Sequence, residues 1–122
     1  MQERGLRVLY AVPWGPQNFF FNGEFSHAIL KTPAESEFRS QEERGAYIKA
    51  IVPEEKLLLR AQQALSVISS PTLYARIDLV RDDEDFVIME LELIEPSMYL
   101  RTDPDASMRF ARAIDERFGS VV

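Results

Sequence analysis

Four charged side chains are the residues of this sequence best placed to do chemistry. Arg76 and Asp78 stand two apart in "LYARIDLV", and Glu90 and Glu92 stand two apart in "FVIMELELIEP". Side chains alternate along a strand, so each pair shares a face. The acidic stretch "RDDED" between them reads as a tight loop joining two antiparallel strands. A three-residue loop, Asp83 to Asp85, sets Val80 opposite Ile88, Asp78 opposite Glu90 and Arg76 opposite Glu92. A four-residue loop would place Asp78 opposite Met89. The odd loop is preferred because it gathers Met89, Leu91 and Leu93 with Ile77 and Leu79 on one side and the four charged residues on the other. Carboxylates within cross-strand reach of roughly 5 Å repel unless a cation or proton neutralises them, and one arginine cannot balance three. A hard cation such as Mg²⁺ takes oxygen ligands from a few carboxylates together with substrate phosphates, which would set Arg76 beside phosphate. The competing reading is a solvated strand face on which Arg76 pairs with one glutamate and the other acids meet water.

The weaker candidates are basic or aromatic. Lys31, at the end of a strand, and Arg39, Gln41 and Arg44, in a long polar loop, could contact anions, although exposed basic loop residues are usually solvated. His27 lies in a strand-like run, where a hydrogen-bonded structural histidine is the commoner outcome. Trp14, between Pro13 and Gly15, reads as local packing. The chain has no cysteine, so thiolate metal sites and disulfides are excluded and any metal must use oxygen ligands or the one histidine. A net charge of −6 disfavours a broad nucleic-acid footprint. No GxSxG, Walker-type glycine loop or HExxH pattern is present.

The elements that must position these residues follow from period and punctuation. At 122 residues and 46% hydrophobic content the chain suits a single domain with its own core. Neither a membrane span nor a secretory signal is evident, and the expected location is the cytoplasm. An apolar run at 6–12 reads as a strand halted by Pro13, Gly15 and Pro16. Asn22-Gly23 between aromatic and β-branched runs marks a two-residue hairpin. A loop over 33–46 leads to a strand at 47–52. A helix follows, with Pro53 in its first turn and a stripe of Leu57, Ala61, Ala64, Leu65 and Ile68. After the charged hairpin a second helix is expected, capped by Asp103, with Phe110, Ile114 and Phe118 inward. The order predicts an α+β domain: a largely antiparallel sheet with two helices on one face.

In this order and spacing, "GEFSHAILKTP", "EFRSQEERG", "LYARIDLV" and "MELELIEPSMYL" resemble the C-terminal portion of the ATP-grasp superfamily, of the glutathione-synthetase-like kind. The resemblance spans about 18–118, leaves 1–17 as a divergent segment, and is strongest over 73–100. It implies the C-terminal ATP-grasp subdomain and ATP-driven formation of an acyl phosphate from a carboxylate, attacked by an amine. It further implies Asp78 and Glu90 as Mg²⁺ ligands, Glu92 as a third where relatives more often carry Asn, and Arg76 on phosphate or the acyl phosphate. Lys31, Arg39 and Gln41 fall on nucleotide- and substrate-side positions, with Gly45-Ala46 where a glycine pair is common. The family's N-terminal half, which covers the phosphates, has no counterpart in the sequence, so the expectation is a truncated ligase-like domain, not catalytic alone, that pairs as a homodimer. Two alternatives stand beside it: a non-catalytic interaction module with vestigial acids, and a metal-dependent nuclease, for which Glu92 stands where a lysine is usual.

Overall fold

The computed structural model describes residues 15–33 and 46–119. The expected strand at 6–12, Trp14, and the loop candidates Arg39, Gln41 and Arg44 lie outside the described residues. Five strands form one antiparallel sheet: β1 (Gly15–Phe21), β2 (Glu24–Pro33), β3 (Ala46–Ile51), β4 (Tyr74–Asp82) and β5 (Asp85–Glu92), in the order β3-β2-β1-β4-β5. Helix α1 (Glu55–Leu65) joins β3 to β4, and a single 3₁₀ turn (Leu100–Thr102) leads into α2 (Ala106–Phe118).

The Asn22-Gly23 turn is as the sequence requires, with φ of 52° and 83°, both in the left-handed region a type I′ turn needs. β1 begins earlier than the proline rule suggested. Pro16 pairs with Leu30 on β2, while pairing with β4 begins only at Gln17, so the missing N–H of Pro16 falls outside that ladder. Helix α1 also starts later than expected. Glu54 is its first flanking residue, so Pro53 lies just outside, and Ser66 closes the other end by donating its hydroxyl to the Gln63 carbonyl at 2.7 Å.

The α+β class, the antiparallel sheet and the two helices are as expected. The helices, however, take one face each. Phe20, Ala75, Ile77, Leu79 and Phe86 pack with Leu57, Ala61 and Ala64 of α1. Phe21 and Tyr74, of opposite parity on the same strands, meet Phe110 of α2 at ring distances of 5.0 and 6.3 Å. α2 buries Ala106 and Ala113 and leaves Phe118 exposed, a correction to the inward position expected for that residue. Because α2 covers only part of its face, Arg76, Asp78, Glu90 and Glu92 lie on the remainder.

Candidate functional site

The hairpin that carries the four charged residues reaches the expected pairing by a different route. Its turn has two residues, Asp83 and Glu84, with Asp82 opposite Asp85 and Val80 opposite Val87, not Ile88. Between Asp78 and Leu79 the register shifts, and Met89 is the extra residue of a β-bulge. Beyond it Asp78 opposes Glu90 and Arg76 opposes Glu92, as the sequence predicts. The bulge has a clear physical reason. Without it Phe86, Ile88, Glu90 and Glu92 would share one face; with it Phe86 enters the α1 core and the glutamates turn to the opposite side.

On that side Arg76 is the hub. Its side chain is 12% exposed; Nε donates to Asp78 Oδ1 and Nη2 to Asp78 Oδ2, both at 2.9 Å. Nη2 also stands 3.0 Å from Glu92 Oε1 and 3.6 Å from Glu90 Oε1. Asp78 is 16% exposed, Glu92 30% and Glu90 52%. Burial acts against the Arg76 charge, but its Asp78 hydrogen bonds and the three acids outweigh that and hold its pKa above the ordinary value. Burial pushes Asp78 above the usual carboxylate range, only partly offset by Arg76 and, more weakly, by the positive charge of Lys31. Burial likewise raises Glu92, with Arg76 opposing and the neighbouring Glu90 reinforcing.

Gln17 joins the cluster from β1. It pairs directly with Asp78, and its Nε2 donates to Asp78 Oδ2 at 3.4 Å. Pro13, Gly15 and Pro16 mask the strand that carries Gln17; counting back in twos from Phe21 and Phe19 puts it on the acidic face. The segment after β5 closes the site's lower edge. His27, buried and stacked on Phe19 at 4.5 Å, donates Nε2–H to the Met98 carbonyl at 2.8 Å while its Nδ1 accepts from the Ser26 hydroxyl at 2.8 Å. Arg76 Nη1 approaches the Ser97 carbonyl at 3.5 Å. His27 is thus the structural, hydrogen-bonded histidine expected.

Among the described residues no group of three or more His, Cys, Asp or Glu side chains is arranged to hold a metal by itself. The three carboxylates close on the guanidinium instead. Their donor set nevertheless suits a hard divalent cation: all oxygen, two negative charges in excess of Arg76, with Glu90 half open to solvent. Mg²⁺ sites that share phosphate ligands need only one or two carboxylates and no closed cage.

No family model matches the chain. It is 33% identical over 110 residues to the cycloserine biosynthesis protein DcsG of Streptomyces lavendulae, covering 80% of this chain and 36% of that protein. The crystal structure of D-cycloserine synthetase DcsG matches with a TM-score of 0.67 and 29% identity, over 84% of this chain and 37% of that one. D-alanine–D-alanine ligase from Bacillus anthracis, complexed with ATP, matches at 0.59 and 16% identity, over 87% of this chain and 38% of the ligase. The ATP-grasp ligase PsnB, complexed with a minimal precursor, matches at 0.60 and 12% identity, over 84% and 36%. The last two likenesses concern the fold alone. The chain spans little more than a third of the length of each of these relatives. Within that share, the chain has the fold of a small subdomain of these ATP-grasp ligases and corresponds to a fragment of their length.

Proposed function

We propose that the open face of β4 and β5 is the Mg²⁺- and ATP-phosphate-binding part of a carboxylate–amine ligase site that works through an acyl phosphate. The observation that carries this reading is Arg76, nearly buried and held on its flank by Asp78, amid three carboxylates that exceed it by two charges. Asp78, Glu90 and Glu92 would hold the cation, which supplies neutralisation of phosphate charge when bound. Arg76 contacts phosphate or the acyl phosphate: its position is fixed by two hydrogen bonds to Asp78, so it meets the developing charge without reorganising. Lys31, on β2, acts on the same charge from the other side of Gln17, and Arg39 and Gln41 serve the substrate side. The ligation as a whole belongs to a site of which this face is one part, and the chain is not catalytic alone. We assign the activity to the cytoplasm. The chain pairs with a second copy through an exposed sheet edge, where β5 presents Ile88 to solvent.

Calorimetry with Mg²⁺ and a non-hydrolysable ATP analogue tests the reading. Saturable binding is expected, weakened at least tenfold by Asp78→Asn or Glu90→Gln. Absence of binding, or binding indifferent to both changes, would leave an interaction module with vestigial acids. A monomer in sedimentation at micromolar concentration would remove the pairing.

A further inference from the structure

Gln17 is 5% exposed, in a strand with neighbours on both sides, and among the described residues its Oε1 has no hydrogen-bond partner. Leaving a buried carbonyl oxygen unpaired is costly, about 1–3 kcal/mol, so such a group invites a ligand. The amide cannot be turned round to escape. Asp78 Oδ2, 3.4 Å away, can only accept when ionised, so the nitrogen must face it and the oxygen must face something else. Arg76, the hub of the cluster, directs most of its N–H groups elsewhere. Arg76 gives Nε and Nη2 to Asp78, shares Nη2 with Glu92, and directs Nη1 toward the Ser97 carbonyl. A hydrogen donor that arrives with a ligand of the Asp78 cluster would complete the shell of this oxygen.

We propose that Gln17 is a positioning residue of this site: its Nε2–H fixes Asp78, and its Oε1 accepts a hydrogen from a water carried in the shell of the divalent cation. The inference rests on the proposed cation site and adds a residue to it. Three features favour water over other donors. The amide nitrogen is bonded to the very carboxylate that would ligate the cation, so the oxygen of the same amide lies at the edge of that ligand. Mg²⁺ gives up its waters reluctantly and keeps several when only one or two carboxylates bind it. A bound water, polarised by the cation, is a strong donor that needs an acceptor, and outer partners of this kind commonly govern affinity.

Asn18 supplies an internal control. It is the next residue on β1, points to the other face, and is fully buried, with neither amide atom hydrogen-bonded among the described residues. The experiment titrates the full chain with Mn²⁺ as the probe, following free Mn²⁺ by electron paramagnetic resonance and the bound-water protons by electron–nuclear double resonance. In Gln17→Leu, Mn²⁺ affinity is expected to fall about 10- to 100-fold and the water-proton signals to change. Asn18→Leu is expected to leave both as in the wild type. Gln17→Met is a second, unbranched replacement for the event that leucine prevents folding, and either variant should unfold in urea no earlier than the wild type. Wild-type affinity and unchanged proton signals in the Gln17 variants would overturn the inference while the cation site stands. A wild-type chain that binds no Mn²⁺ would overturn both.

Discussion

Replacing Arg76 by methionine keeps much of the apolar stem and removes the charge. The side chain is 12% exposed, makes two 2.9 Å bonds to Asp78, and lies 3.0 and 3.6 Å from Glu92 and Glu90. Its loss leaves three carboxylates facing one another without a counter-charge from β4. Removing one partner of a buried ion pair costs about 3–5 kcal/mol, and the mutual repulsion puts Arg76→Met at the upper end of that range. Asp78→Asn is not its mirror image. Arg76 retains Glu92 and Glu90, the more exposed partners, so that change should cost only about 1–2 kcal/mol. Against an ordinary domain stability of about 5–15 kcal/mol, the first variant is severely weakened and the second is not. The pH dependence has a definite sign. Burial raises Asp78 in the fold, so the native state binds its proton more readily than the unfolded chain, and stability falls as pH rises through the folded value. Without Arg76 that slope steepens, and the deficit of Arg76→Met shrinks on acidification. Urea unfolding followed by circular dichroism at about pH 5 and about pH 7.5 measures both effects. Equal losses from the two variants, or a deficit in Arg76→Met that does not shrink at the lower pH, would refute the view of Arg76 as the hub.

Asn18→Leu should stabilise the chain by about 1–3 kcal/mol, since it replaces two buried polar atoms that have no partner among the described residues by apolar ones of similar volume; a lower urea midpoint would show that the amide is satisfied. Gly15→Ala should destabilise by at least about 1–3 kcal/mol, because Gly15 has φ of +133° and an added Cβ would lie 2.7 Å from the Leu79 carbonyl oxygen. The check is the same unfolding curve. His27 is held below the ordinary histidine value by burial, with Met98 opposing, so the unfolded chain takes up its proton first and stability declines as pH falls below about 6.5. His27→Gln should flatten that acid limb, and an unchanged limb would assign it to other groups.

Much of this was legible in the residues, for uneven reasons. Asn22-Gly23 fixed the first hairpin because few dipeptides adopt two successive left-handed conformations cheaply. The facing of Arg76, Asp78, Glu90 and Glu92 was also readable, since polar and apolar residues alternate there without interruption. The path to it was not. A three-residue loop and a two-residue turn followed by a bulge give the same pairing at Asp78, and only the burial of Phe86 tells them apart. Gln17 was missed because Pro13, Gly15 and Pro16 signal a break, whereas a proline whose missing N–H falls outside the ladder can open a strand. The placement of the helices on separate faces depends on Phe20 and Phe21, adjacent aromatics that both bury, so no alternation marks which side each helix will cover.

The bulge at Met89 makes the hairpin a joint between two independently phased halves. On the turn side, Phe86 is committed to the core; on the far side, Glu90 and Glu92 are committed to the opposite surface. Changing the identity of residue 89 alters one half-exposed side chain, whereas changing the number of residues there rotates everything on one side by half a strand period. Deleting Met89 would force a choice between ejecting Phe86 and driving two glutamates under α1. Tolerance at this position is thus high for substitution and low for length, a distinction that a survey of point variants alone would never register.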